Sequence, residues 1–212
     1  WHDGTMQPIQ GWRLRSDSAT ANITRSLSAW LDNSDNRWIA AGTYRKLYIY
    51  DVNSALYDIT PTGLTVGTET SIDATAFGGG VYGSDGYGEP RLERSTGNPA
   101  TTWSLDTFGQ NLVACSSSDG KIYQWTLSTS TIAAQVTNAP VGNAGIMVTD
   151  ERFLFALGAA GNPRKVQWCD RENNTLWTPA ATNEAGSIEL QTVGRIQCGV
   201  KVQNQALILT TT

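Results

Sequence analysis

The amino-acid sequence predicts an all-β protein: a complete or partial β-propeller whose blades are four-stranded antiparallel meanders. Its 212 residues are 40% apolar and only 16% charged, with 21 glycines, which is a composition typical of β-rich domains. Short apolar segments alternate with polar turns, and no apolar stripe with helical spacing is sustained. The pattern recurs about every 43 residues, the length of one propeller blade. A β-sandwich, which also has closely spaced strands, is the alternative fold.

The repeat is clearest in a strand that starts with a basic residue and continues with two apolar or aromatic residues spaced by two. Three copies have this pattern: Lys46-Tyr48-Tyr50, Lys121-Tyr123-Trp125 and Arg164-Val166-Trp168. Equivalent positions are separated by 75 and then 43 residues. Side chains spaced by two lie on one face of a strand, so we expect them to pack between blades. The predicted blade core consists of Trp38, Tyr48, Tyr50, Tyr123, Trp125, Val166 and Trp168.

Each of these strands has apolar segments on both sides. The preceding segments read WIAAG, NLVAC and RFLFAL, and candidate outer strands follow the first two copies at LYDIT and TIAAQVT. A further partial copy, CGVKVQNQALILT, ends the sequence. The predicted organisation is an N-terminal entry segment (1–25), blade 1 (26–63), a Gly-rich insertion loop (64–100), blade 2 (101–141), blade 3 (142–182) and the start of a fourth blade (183–212), which we expect to be truncated.

Composition and charge exclude several function classes. With 15 Lys and Arg against 19 Asp and Glu, the chain has no broad basic field for reading nucleic acid. A single histidine, His2, excludes His-based catalytic triads and His-rich metal sites. The three cysteines, Cys115, Cys169 and Cys198, lack the spacing of a zinc ribbon. No apolar run is long enough to predict a membrane span. We therefore predict no catalytic residue, no metal and no cofactor.

Two sequence features leave alternatives open. The run from Asp32 to Asn36 offers oxygen ligands for calcium, but the same residue types form hairpin turns, which is the interpretation we prefer. The charged stretch that begins at Glu151 contains carboxylates and arginines of the kind that a propeller glycosidase or sialidase uses. Ordinary salt bridges at strand ends also explain these charges, and this is the interpretation we prefer.

Aromatic residues outside the repeated core are candidates for subunit contacts, because large aromatics are enriched at interfaces. Tyr82 and Tyr87 lie in the Gly-rich stretch FGGGVYGSDGYGEPR, which is alternatively a flexible solvent loop. Trp103 and Trp177 have no place in the repeat, and their alternative role is to fill the core. Exposed aromatics would also suit a module that recognises glycan or protein on a host surface.

Several segments resemble a family of bacteriophage tail proteins, the β-propeller hub or nozzle proteins of short-tailed phages, also described as packaged-DNA stabilisation proteins. The resemblance lies in PIQGWRLRS, RWIAAGTYRKLYIYD, LYDITPTG, PATTWSLDTFGQNLVACSSSDGKIYQW and ERFLFALGAAGNPRKVQWCDRENNTLWTPAATNEAGSIEL. It spans most of the chain and is most specific from NPRKVQW to WTPAATN. Members of the family are usually considerably longer.

The resemblance implies a structural virion protein rather than an enzyme. It implies a homo-oligomeric ring, commonly sixfold, that is assembled in the host cytoplasm and located at the distal end of the tail. Its partners would be other tail proteins, such as adaptor, fibre or needle proteins. It would retain the genome and let DNA pass during ejection, without reading its sequence. A mildly acidic chain is compatible with this passage, because fixed cations would bind the phosphates.

Overall fold

The computed structural model describes residues 11, 16, 18–71, 99–202 and 205–211. Within these residues the chain forms fourteen β-strands and one short 3₁₀ turn, Ala159–Gly161, and it contains no α-helix. The predicted all-β class is therefore confirmed.

The strands form three four-stranded antiparallel sheets and one hairpin. The first sheet contains β1 (Thr24–Leu31), β2 (Arg37–Thr43), β3 (Leu47–Tyr50) and β4 (Leu56–Asp58). The second contains β5 (Trp103–Phe108), β6 (Asn111–Ser116), β7 (Ile122–Trp125) and β8 (Ala134–Gln135). The third contains β9 (Gly145–Val148), β10 (Leu154–Leu157), β11 (Lys165–Trp168) and β12 (Gly186–Glu189). The hairpin contains β13 (Ile196–Val202) and β14 (Gln205–Thr210). Strand order follows the sequence in every sheet, which confirms the predicted meanders.

Two predicted boundaries need correction. The third sheet does not end at residue 182, because β12 pairs with β11 and places Gly186 opposite Trp168. The long polar connection between β11 and β12 is the reason why the sequence did not predict β12 as part of this sheet. The first sheet starts at Thr24, two residues earlier than predicted. Of the predicted insertion, 64–100, the structure describes only 64–71 and 99–100. Tyr82 and Tyr87 lie outside the described residues.

Successive sheets pack face to face, and their first strands lie side by side. β1 contacts β5, β5 contacts β9, and β9 contacts β13. A buried apolar cluster fills each of the three gaps between neighbouring sheets. The two central strands of the second sheet, β6 and β7, are largely buried on both faces, and β6 has five consecutive buried residues from Leu112 to Ser116. This continuous burial is expected for a sheet that is covered on both sides.

The third copy of the repeat is displaced by one residue from the predicted alignment. Tyr48 lies opposite Ala41, and Tyr123 lies opposite Ala114. In the third sheet it is Gln167, not Val166, that lies opposite the equivalent alanine, Ala156. The connection from β10 to β11 contains the 3₁₀ turn and is longer than its two counterparts, so the register shifts.

A one-residue shift turns each side chain to the other face of its strand. Tyr123 and Trp125 therefore face the preceding sheet, whereas Val166 and Trp168 face the following hairpin. In the gap between the second and third sheets, Cys169 and Trp177 supply buried atoms where Val166 and Trp168 were expected.

The close approach of the first two sheets depends on the missing side chain of Gly42. A Cβ atom at this position would lie 2.4 Å from Cδ1 of the buried Trp103. We expect Gly42→Ala to lower the free energy of unfolding by about 1–3 kcal/mol, because the indole would have to move in a packed interior. Gly145→Ala is the matched control, since its Cβ would meet Ser104 Oγ at an ordinary 3.5 Å. Urea denaturation of both variants measures the difference, and equal stabilities would contradict the packing described here.

Candidate functional site

Polar side chains on β1 and β5 connect the first sheet to the backbone of the second, and the second sheet to the backbone of the third. The Trp103 N–H donates to Ser26 Oγ (2.9 Å), the Ile146 N–H donates to Ser104 Oγ (3.1 Å), Ser104 Oγ donates to the Ile146 carbonyl (2.8 Å), and the Val148 N–H donates to Asp106 Oδ2 (2.8 Å). These contacts satisfy backbone groups of strands that have no further strand on that edge within the described residues. They also fix the position of each sheet relative to its neighbour. We call them the inner-strand bridges.

Trp103 and Trp177 are not on the surface, so their prediction as subunit contacts is wrong. Trp103 is 6% exposed, and its indole N–H donates to the Thr43 carbonyl at 2.7 Å. Trp177 is 2% exposed and donates to the Asn174 carbonyl at 2.6 Å. Both indoles fill gaps between sheets while their one polar atom finds a backbone partner, as buried tryptophans usually do. The sequence around Trp103 gives no signal of this burial, because Gly42, whose missing side chain makes room for the indole, lies in the neighbouring sheet.

Of the predicted blade-core residues, Trp38, Tyr123, Trp125, Val166 and Trp168 pack between neighbouring sheets, whereas Tyr48 and Tyr50 lie on the face of the first sheet that is turned away from the second. Tyr48, Tyr123, Trp125 and Val166 are buried. Trp38, Tyr50 and Trp168 are half-buried. The rings of Trp38 and Trp125 meet edge to face across the first gap, with centroids 5.2 Å apart.

Two polar groups hold these aromatics. Tyr123 Oη donates to Asp119 Oδ2 at 2.6 Å, and burial together with this carboxylate raises the pKa of the phenol. The Trp38 indole and the Asn36 side-chain amide donate to Asp32, which lowers the pKa of the Asp32 carboxyl to about 2. Asp32 also accepts backbone N–H groups from Ser34 and Asn36, so this run forms the predicted turn between β1 and β2.

The three cysteines differ in burial, and two of them are weakly acidic. Burial raises the pKa of the Cys115 thiol to about 12 and that of Cys169 to about 11, which disfavours the reactive thiolate. Cys198 is exposed.

Across the described part of the chain, no three His, Cys, Asp or Glu residues are grouped so that they could hold a metal ion. The same residues include no helix long and apolar enough to cross a membrane.

A groove of about 300 Å³ lies beside the third sheet and the hairpin. Phe155 and Trp168 form one wall, with their rings stacked at 5.6 Å and 26°. Lys201 Nζ lies 3.2 Å from the carboxylate of Asp150, both of which also line the groove. The position of the groove follows from the register shift, which turns Trp168 toward the hairpin.

Two apolar faces at opposite ends of the row of sheets have no partner within the described residues. The first is a strip on β1 and β2 that includes Leu27, Leu31 and Ile39. The second is the outer face of the β13–β14 hairpin, which carries Cys198, Val200, Val202, Leu207 and Leu209. We call them the β1–β2 strip and the hairpin face. Exposed apolar patches of this kind mark interaction surfaces.

Comparisons of the chain with protein-family models, with curated proteins and with solved structures found no match.

The inner-strand bridges make a direct prediction about stability. We expect Ser104→Ala to lower the free energy of unfolding by roughly 1–2 kcal/mol, because both backbone polar groups of Ile146 lose their partner. Ser187→Ala, on the exposed outer strand β12, should change it by less than about 0.5 kcal/mol. Chemical denaturation compares the two. If both variants were as stable as the parent chain, the bridge at Ser104 would have no structural role.

Proposed function

We propose that this chain is a structural component of a phage tail, of the hub or nozzle type, built on a β-propeller arrangement of its sheets. The observation that carries the proposal is the repeated contact between first strands, from β1 through β5 and β9 to β13. Propeller blades pack in this way around an axis, with their first strands innermost. The tail-like segments quoted above give the proposal its biological setting.

The internal organisation suits a scaffold better than an enzyme. Aromatic side chains, the buried thiols and the polar groups of the first strands all serve the packing of one sheet on the next. A propeller leaves only short, protected sheet edges and presents loops at its two ends, where neighbouring proteins can bind. A rigid part of this kind can join other tail proteins and surround a DNA channel without chemistry of its own.

The charge of the chain is compatible with DNA passage. A formal charge of −4 gives no excess of cations that would hold the phosphate backbone. In the proposed role, DNA is retained by closure of the channel and is released during ejection. We expect the protein as a homo-oligomer in the virion, in contact with adaptor, fibre or needle proteins.

The location of the protein tests this proposal directly. We expect mass spectrometry of purified virions to detect the chain, and electron microscopy of the particle to place a propeller-shaped density at the distal end of the tail. Particles that assemble with complete tails and lack the protein would overturn the proposal. A non-structural protein of the same lysate serves as the control for contamination.

The groove next to Trp168 favours a second candidate, a module that recognises glycan on the host surface. A half-buried aromatic wall with carboxylates at its rim has the mixture of apolar and polar groups that ligand sites use. We expect Trp168→Ala to abolish binding on a glycan array if this function is correct. Trp177→Ala is not a suitable probe, because that residue is buried. Absence of binding by the parent chain at high concentration would exclude this candidate.

A further inference from the structure

We infer that a polar cleft at one end of the second sheet is a binding site for a neutral saccharide. The cleft has a volume of about 410 Å³, which is within the range of small-molecule sites. It shares no lining residue with the groove beside Trp168. The inference goes beyond the proposed scaffold role and does not depend on it.

The cleft is built from all three four-stranded sheets. The turn between β1 and β2 supplies Asn33, and the turn between β5 and β6 supplies Gly109 and Gln110. The third sheet supplies Arg152 from the β9–β10 turn and Glu172 from the β11–β12 connection. The cleft therefore lies where the second sheet meets both of its neighbours. Its remaining lining residues are Phe108, Asn111, Gln124 and Asn174.

The lining donates and accepts hydrogen bonds without a net charge. Five of its side chains are carboxamides, and the two charged ones form an ion pair, with Arg152 Nη1 lying 3.4 Å from Glu172 Oε1. This pairing disfavours a simple anion. Among the described residues, Glu172 is the one carboxylate in the lining, whereas calcium sites and glycoside hydrolysis need more than one. A hydroxyl group both donates and accepts, so a ligand rich in hydroxyls suits this lining.

Gln124 and Asn174 give the cleft a donor and an acceptor side by side. Asn174 is 7% exposed, and its Nδ2 donates to Gln124 Oε1 at 3.0 Å. The Trp177 indole donates to the Asn174 carbonyl and so fixes its backbone. Within the described residues, the two side chains form no other hydrogen bond, which leaves Nε2 of Gln124 and Oδ1 of Asn174 for a ligand. One hydroxyl group can pair with both atoms.

The rim of the cleft is held in place by its own hydrogen bonds. The Glu172 N–H donates to the Arg152 carbonyl at 3.1 Å, and both residues have left-handed backbones, with φ angles of 57° and 61°. On the opposite side, the Gln110 carbonyl accepts the Trp30 indole N–H at 3.0 Å, and Gln110 Oε1 accepts the Asn33 N–H at 3.4 Å. A site with oriented groups loses less entropy when a ligand binds.

Phe108 adds an apolar contact to this polar lining. It is half-buried against the cluster between the second and third sheets, and it also lines the cleft. A small apolar surface with polar groups around it is the usual composition of a ligand site. A sugar ring matches this composition, because it presents C–H groups beside its hydroxyls.

Saturation-transfer NMR of the 212-residue chain gives the first test. The probes are neutral trisaccharides of glucose, galactose, mannose and N-acetylglucosamine. We expect at least one of them to bind with a Kd below about 5 mM. A chain that binds none of the four at that concentration would overturn the inference. A clear preference for a sialylated trisaccharide over its neutral parent would contradict the neutral class of ligand.

Substitutions at the rim locate the bound saccharide. Arg152→Gly and Glu172→Gly remove side chains at positions whose backbone conformation glycine adopts easily, so the variants should fold. Each should weaken binding of the same trisaccharide at least about tenfold, because hydrogen bonds to charged groups are lost. Ser54→Gly is the matched control, since Ser54 has the same conformation, with a φ angle of 65°, and does not line the cleft. Parent-like affinity in both rim variants would contradict the inference.

Gln124→Glu tests the inner part of the cleft. The substitution keeps an oxygen that can accept from Asn174 and removes only the Nε2 donor. We expect thermal unfolding close to that of the parent chain and an affinity lower by at least about tenfold. An unchanged affinity would show that the saccharide does not use this donor, contrary to the inference.

Trp168→Ala separates this site from the groove beside the hairpin. Because the two share no lining residue, the variant should bind the trisaccharide with the affinity of the parent chain. Loss of binding in Trp168→Ala together with full binding in Arg152→Gly would assign the saccharide to the groove and overturn the inference. The proposed place of the chain in a phage tail is tested by its presence in virions, so the two proposals can fail independently.

Discussion

Most of this structure depends on the burial of both faces of each sheet. Strands such as β6, with consecutive apolar side chains, cannot exist as a surface layer, because one set of side chains would always be left in water. A neighbour on each side solves the problem, and the same solution repeats along the chain. The bridging groups on the first strands then fix the relative positions of the sheets. Packing supplies the attraction, whereas these polar contacts supply the alignment.

The sequence predicted the class, the meander and the order of strands, because these depend on short-range alternation and turn chemistry. Tyr48 and Tyr123 lie where their spacing placed them. The side of the sheet to which Trp168 points could not be predicted in the same way, because it depends on the length of the connection between β10 and β11. A shift of one residue in the register turns every side chain of the strand that follows to the other face of the sheet. Trp103 shows a different limit: its burial depends on Gly42, which is distant in sequence and lies in the neighbouring sheet.

These two failures explain why candidate surfaces are harder to predict than folds. A tryptophan outside the repeat looks the same in the sequence whether its side chain fills a gap between two sheets or faces solvent. The structure separates the cases: Trp177 lies in the core, while the groove beside Trp168 remains open. The exposed apolar faces consist of leucine, isoleucine and valine residues, which the sequence does not distinguish from core residues.

The sheets also differ in how many neighbouring sheets stabilise them. The second and third sheets have neighbours on two sides, whereas the hairpin is held, within the described residues, by the third sheet alone. In such nearest-neighbour systems, each unit gains stability from every interface in which it takes part. Amide hydrogens of the hairpin should accordingly exchange through local opening that requires little free energy. Those of β6 should exchange only through opening of a much larger part of the structure. Among the described elements, the hairpin should therefore open most easily and the second sheet least easily.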